Sequence, residues 1–475
     1  MVHFHPLDIS VIVLYFIAVV FIGFKFARKT KNDEVDFLLA GRSLTLPLFV
    51  MTLVSTWYGG ILGVGEFSYR YGISNWFLQG VPYYIFAAIF AWILAKKIRD
   101  TNLVSIPDKL HQAYGKKTAV LGSLLTFILM TPAPYVLMFS VLFQMMFGWG
   151  FFTSVVVTAV VALSYLYFGG FRSDIYTDVF EFILMFIGFA VIIPFAFHQF
   201  GGIEFLKSNL PTLHLTWHGG HNWQFILVWF FIALWTLVDP AFHQRCYAAK
   251  DGKTAQRGIF ISIIFWFIFD SMTSLIGLYA RAALPNLANP IMAYPQLADQ
   301  ILPPVAKGLF FVGMLATMMS TLNTLGLVSA QTLGRDIFLR LKSKNPIPNP
   351  STDGRISNDE LVTKYTKIGL VISFIFSVLI AVAIPSVIKI WYTIGTVVIP
   401  GLLVPLMASY FKKLSMKPNY AFLSMLLGWG TSLVWMILGY INGNNGEYPF
   451  RIEPMYPGLV VSVVIWLMGR KNGGY

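Results

Sequence analysis

The run Ala-Thr-Met-Met-Ser-Thr-Leu-Asn-Thr places Thr317, Ser320, Thr321, Asn323 and Thr324 within a short apolar stretch. In a helix, positions 317, 320, 321 and 324 share one face. A single Ser or Thr in such a place ordinarily bonds the carbonyl one turn back. Four on one face favour a site, because several neutral oxygens are what a small hard cation needs. Carbonyls to complete it come from an interrupted segment, Ser55-Thr56-Trp57-Tyr58-Gly59-Gly60. Its glycines supply backbone freedom, although Gly59 and Gly63 also read as a GxxxG packing pair. A second interruption, Leu237-Val238-Asp239-Pro240, loses an amide at its proline. Asp239, with Trp57, Trp235 and Gln79, can form a pocket for a small solute. A carboxylate among tryptophans suits an amine or quaternary ammonium through charge and cation–π contact, and a neutral solute fits equally. Asp178, in Tyr-Thr-Asp-Val-Phe-Glu, either neutralises Arg172 or completes a second ion site. Glu66 either faces a cation or proton, or stands in water at an outer mouth.

These residues need elements to hold them, and the composition says which. Hydrophobic residues make up 57% of the 475 and charged residues only 12%, with a mean hydropathy of +0.69. A soluble domain carries roughly twice that charged fraction. Apolar runs of about 20 residues recur along the chain, long enough to cross a hydrocarbon core of ~30 Å as helices. The short alternating segments of a membrane barrel are absent. The expected fold class is an all-α membrane protein with about thirteen transmembrane helices. The spans fall near 7–27, 46–70, 74–96, 118–146, 150–168, 173–197, 222–241, 258–282, 305–334, 365–385, 388–411, 418–441 and 455–469.

A net charge of +13 raises the question of nucleic acid, and its placement answers it. Most of the 34 Lys and Arg residues collect in alternate connections between spans, Arg172, Arg245, Arg335 and Arg340 among them. Only Arg70, Lys207, Arg281, Lys307, Lys389 and Arg451 fall elsewhere. The positive-inside rule then predicts the N-terminus outside and the C-terminus inside, in a plasma or inner membrane, with no nucleic-acid partner. The first span has no Lys or Arg before it, so it reads as an uncleaved helix rather than a signal peptide. The single cysteine, Cys246, excludes an internal disulfide framework.

The longest polar connection, Arg335 to Lys364, reads as a cytoplasmic linker, and residues 285–304 suggest a short surface helix. Spans two to six and seven to eleven form two blocks of five, each opening with an interrupted helix. Broken helices at matching places in two halves point to a transporter binding site, since freed backbone groups must line a cavity or hold a ligand.

Asp36-Phe-Leu-Leu-Ala-Gly-Arg-Ser43 resembles the opening motif of the sodium:solute symporter family. So do Gly169-Gly170 followed by Thr177-Asp178, and Gln244-Arg245 followed by Ala248-Ala249-Lys250 and Ala255-Gln256-Arg257-Gly258. Leu302-Pro303-Pro304, Gly308-Leu309-Phe310 and Met319-Ser320-Thr321-Leu322 complete the set in the family's order. Members carry proline, galactose, sialic acid, pantothenate or choline with sodium. The resemblance implies a five-plus-five inverted-repeat, LeuT-like core at 46–197 and 222–411. A leading helix and loop (1–45) and two trailing helices (412–475) flank it. It also implies a sodium site from the carbonyls of Ser55 and Tyr58 with Thr317, Ser320 and Thr321. A second would use Asp178, Ser320, Asn323 and Thr324. The solute pocket would take Trp57, Gly59, Gln79, Trp235 and Asp239. Thr-Trp-Tyr-Gly-Gly resembles the choline branch, but Asp239 stands where that branch has a second Trp. The fourth span lacks the arginine of a sialic-acid clamp.

The expectation is a sodium-coupled symporter in the lipid bilayer, importing a small organic solute by alternating access, and not an enzyme. The alternatives are proton coupling through Asp178 or Glu66, and a transporter-like sensor, for which the short tail after Gly469 offers no signalling domain.

Overall fold

The computed structural model describes residues 2–28, 34–342, 359–441 and 448–471. Among these, eleven helices are long and apolar enough to cross a membrane, and two shorter apolar helices, Phe151–Val160 and Met455–Gly469, accompany them. Lipid leaves backbone groups no water to bond, so an apolar chain of this kind closes its hydrogen bonds within helices. We number them α1 (Pro6–Ala27), α2 (Leu46–Trp57), α3 (Ile61–Tyr71), α4 (Trp76–Asp100), α5 (Lys116–Leu129), α6 (Ala133–Phe147), α7 (Phe151–Phe200) and α8 (Trp223–Ile232). Then follow α9 (Pro240–Ala248), α10 (Gly252–Ala283), α11 (Ala306–Gln331), α12 (Asp359–Ala383), α13 (Val387–Tyr410), α14 (Pro418–Ile441) and α15 (Met455–Gly469).

The expected spans meet these helices closely, with three instructive departures. The fifth and sixth spans run on as α7, turning at Gly170, whose φ of 58° only glycine adopts readily. A Cβ there would press within 2.8 Å of the Phe37 ring. The seventh span was expected to end at 241 but helix continues to Ala248. Asp239–Pro240 restarts it: the Asp239 carboxylate caps the amides of Ala241 and Phe242, and Pro240 fits the first helical position. The ninth span passes Gln331 into a π-helical stretch, Thr332–Leu339, so the expected linker begins later than Arg335. The part of that linker at 343–358 lies outside the described residues, as do Lys29, Lys31, Lys344 and Arg355. The short helix expected within 285–304 is Ala293–Ile301.

Charge was misassigned for the same reason. Arg245, Arg335 and Arg340 expose 0%, 1% and 2% of their side chains, so they are buried ion-pair partners rather than solvated loop charges. Arg172 pairs with Asp36, which removes the reading that Asp178 serves Arg172.

α11 is the hub. Its most apolar window is entirely buried, against 28% for α1 and for α14. It runs along α7 more extensively than any other pair of helices pack, with Gly188 and Gly313 letting the two backbones meet. α2 lies against α7, α10 and α11, while α1 packs outside on α7, and α14 and α15 pair beside α13.

Candidate functional site

The middle of the protein is polar where α2 crosses α11. α2 ends in a single 3₁₀ turn, Tyr58–Gly60, before α3 resumes. A Cβ on Gly59 would lie 2.3 Å from Thr321 and 2.5 Å from the Tyr135 ring. Glycine therefore lets the α2 backbone reach α11, whereas Gly63 faces the Trp391 ring, so the two glycines do not pack as a GxxxG pair against one helix. Thr321 donates to the Thr56 carbonyl at 2.6 Å. Ser320 donates to Asp178 at 2.6 Å and lies 3.1 Å from the Ser55 hydroxyl. Ser55, Ser320, Thr321 and Asp178 are thus brought together. Thr317 bonds its own helix, at the Met314 carbonyl, and Tyr58 turns its hydroxyl to the Trp266 carbonyl. Asn323 and Thr324 are wholly buried on the same helix.

Arg245 of α9 enters this cluster. One guanidinium nitrogen faces Thr56 Oγ1 at 2.5 Å, Thr52 Oγ1 at 2.9 Å, Thr324 Oγ1 at 3.1 Å and Asp178 Oδ2 at 3.4 Å. Thr52 donates to the same Asp178 oxygen, and Thr324 donates to Asp174 at 2.8 Å. Sequence reasoning counted Arg245 as a loop charge and did not single out Thr52, Thr56 or Asp174. The signal for Arg245 was its place six residues after Asp239, inside a restarted helix.

Beside the cluster lies a cavity of about 1150 Å³ including its open mouth. Trp57, Gln79, Trp235 and Asp239 line it, as expected, whereas Gly60 rather than Gly59 reaches its surface. Thr56 and Thr321 form part of the same wall. Further aromatic rings come from Tyr83, Trp229 and Trp391. Asp239 Oδ1 is taken by the amides of Ala241 and Phe242 at 2.7 and 3.1 Å, and the Trp235 side chain also bonds this carboxylate. The sequence reading missed Asp270, a carboxylate of α10 that accepts from Tyr84 and lines the cavity. An aspartate in Phe-Ile-Phe-Asp-Ser-Met was the available signal. Glu66 is not on the cavity wall; it pairs with Arg70 one turn away, at 3.0 Å.

A second buried network lies away from the cavity. Arg335 bonds Glu34, Asp108 (3.0 Å) and Asp336 (2.6 Å), and Arg340 bonds Asp108 at 2.6 Å. Asp108 belongs to the connecting helix Ile106–Tyr114, outside the spans. Burial opposes its charge, but the two guanidinium groups outweigh that and hold its carboxyl down at about 2.

The model of the sodium:solute symporter family matches residues 37–428. The chain belongs to that family. It is 25% identical to the sodium/pantothenate symporter of Haemophilus influenzae, over 95% of this chain and 93% of that one. It is also 25% identical to the high-affinity choline transporter 1 of Drosophila melanogaster, over 96% of this chain and 77% of that one. Among solved structures, a Na+-coupled sialic acid symporter in a substrate-bound outward-open state superposes with a TM-score of 0.79 at 17% identity. That match covers 98% of this chain and 97% of the other. A nucleobase-cation-symport-1 family transporter in a closed conformation gives 0.57 at 12% identity, over 91% and 93%. The fold is that of these carriers, and this family member is a multi-pass, sodium-coupled symporter of a small solute.

Proposed function

We propose that sodium is held where α2 meets α11, by Ser55, Tyr58, Thr317, Ser320 and Thr321, and that the solute is held in the adjoining cavity. The observation that carries this is a shared wall: Thr321 lines the cavity and bonds the Thr56 carbonyl of α2. A cation fixing α2 to α11 therefore shapes the solute's surface, and each ligand lowers the cost of the conformation the other needs. Residues 46–197 and 222–411 act as two inverted halves that rock about the site, with 1–45 and 412–475 flanking them. The N-terminus lies outside and the C-terminus inside. Asp178, with Ser320, Asn323 and Thr324, forms a second sodium site that opens when Arg245 withdraws, because the arginine and the ion draw on the same oxygens. The chain is a carrier and performs no catalysis.

The test is uptake into proteoliposomes with and without an inward sodium gradient. Ser320→Ala with Thr321→Ala should raise the sodium concentration for half-maximal uptake at least tenfold, a loss of about 1.4 kcal/mol or more in ion binding. Sodium dependence equal to that of the unaltered protein removes the site. Uptake driven by a pH gradient in sodium-free medium would favour proton coupling instead.

A further inference from the structure

The cavity carries acceptor groups at two depths, and their arrangement narrows the solute. Asp239 heads α9, nine residues above the turn that leads into α10. Asp270 lies eighteen residues into α10, which climbs back from that turn. At ~1.5 Å per helical residue, Asp270 stands roughly 13 Å farther from the turn than Asp239 does. Asp239 and Asp270 both line the same cavity, and Tyr84 of α4 donates to Asp270.

The chemistry at the Asp270 end is that of a built subsite. Asn75 is 2% exposed and lines the cavity, and its amide nitrogen donates to Ser274, one turn beyond Asp270 on α10. Its carbonyl oxygen is buried without a hydrogen-bond partner. An unpartnered buried acceptor costs free energy unless a ligand donates to it. At the Asp239 end the helix cap takes Oδ1 and the Trp235 side chain also bonds the carboxylate, so a ligand donor there shares the carboxylate with the Trp235 ring. Among the described residues no Lys, Arg or His lines the chamber, so a solute carboxylate would meet two carboxylates and no counter-charge there, at high cost away from water.

Resting on the reading of this cavity as the solute site, we propose that the solute is an extended organic cation with N–H or O–H donors at both ends, an α,ω-diamine being the simplest example. One end is held by Asp239 between Trp57 and Trp235, and the other by Asp270 and Asn75. A quaternary ammonium leaves the outer acceptors without donors, and an anion is excluded by charge. A dication balances both carboxylates.

The experiment is equilibrium binding of 1,6-diaminohexane, hexylamine, choline and pantothenate to the purified protein in lipid nanodiscs, with and without sodium. The diamine should bind at least tenfold more tightly than hexylamine or choline, and pantothenate should not bind. Asp270→Asn should bring the diamine to the hexylamine level, and Asn75→Ala should weaken it by a smaller factor. An unchanged size-exclusion profile establishes that each variant is folded. Tight pantothenate binding, a diamine no better than hexylamine, or an Asp270→Asn variant with the diamine preference intact each overturns the proposal. Diamine binding displaced by none of the cavity variants, Asp239→Asn included, instead overturns the assignment of the cavity itself.

Discussion

Arg245 and Asp178 approach to 3.4 Å with both side chains wholly shielded from solvent. The arginine is the only cation among the described hydrogen-bond partners of a cluster that also holds Asp174, and it is delivered by a helix that starts at the Asp239 cap. One residue pair therefore ties the helix break at the cavity to the buried polar cluster. The cap that presents Asp239 to the cavity also sets the depth at which Arg245 meets Asp178.

Arg245→Ala should lower stability by about 3–5 kcal/mol, since it leaves Asp178 buried without its cation. Adding Asp178→Asn should return part of that loss, because a neutral amide needs no counter-charge. Chemical denaturation of the detergent-solubilised protein across the double-mutant cycle reads the coupling directly. Additive losses would mean that the two side chains act independently despite their contact.

Asp178→Asn separates the two proposed ion sites. With the charge gone and the shape kept, sodium should still bind between α2 and α11, but the second site should fail. The slope of uptake against sodium concentration should then fall from about 2 towards about 1. A slope that matches the unaltered protein's would assign Asp178 to holding Arg245 alone.

Gly59→Ala adds one carbon where Thr321 and Tyr135 already stand within 2.5 Å. Overpacking of this kind costs about 1–3 kcal/mol, and here it pushes α2 away from the hydroxyl that bonds it. Transport should fall by tenfold or more while the protein still reaches the membrane, as measured by uptake normalised to surface-inserted protein. Full activity in that assay would show that α2 need not approach α11 this closely.

Much of this was legible in the sequence, for physical reasons. Lipid forces apolar runs into helices, so the spans could be counted, and hydroxyls at 317, 320, 321 and 324 could be placed on one face. The second break was read from Asp239–Pro240 as an interruption, but the span was closed at 241. The same two residues cap and restart a helix, and that misjudgement put Arg245 in a loop. Asp270 and Asn75 were missed because nothing in the sequence distinguishes them from neighbouring polar residues such as Ser271, Ser74 and Gln79, and only tertiary packing brings them to one wall. Arg335 and Arg340 were counted as loop charges because a charge tally cannot see the carboxylates of Glu34 and Asp108, which come from distant segments.

Glu66 offers a control. Its partner Arg70 is one turn away with 45% of its side chain exposed, and pairs of this kind contribute about 0.3–0.5 kcal/mol. Glu66→Gln should leave both the sodium and the solute half-saturation concentrations within about twofold, since a loss of that size corresponds to less than a factor of three. A tenfold change in either would return Glu66 to the transport machinery.

The Arg335 network predicts a graded response. Arg335→Ala strands the buried Glu34, while Asp108 and Asp336 keep Arg340 at 2.6 and 3.2 Å, and should cost about 3–5 kcal/mol. Glu34→Gln removes one of three carboxylates around a guanidinium that keeps the other two, and should cost about 1–3 kcal/mol. Because the pairs are shielded, added salt should change neither loss appreciably. Two carboxyls of the network shift in opposite directions. The folded value of Asp108, about 2, lies below the unfolded value of about 3.9, so its contribution is complete above the unfolded value and is lost as the pH falls through about 2. At Glu34 burial outweighs Arg335 and raises the carboxyl above its ordinary value. Without Arg335 that carboxyl takes up a proton still more readily, which relieves the stranded charge. Melting temperatures of the purified protein should therefore show the Arg335→Ala loss shrinking as the pH falls from 8 to 5. A loss that stays constant over that range would mean that Glu34 is not left buried and charged.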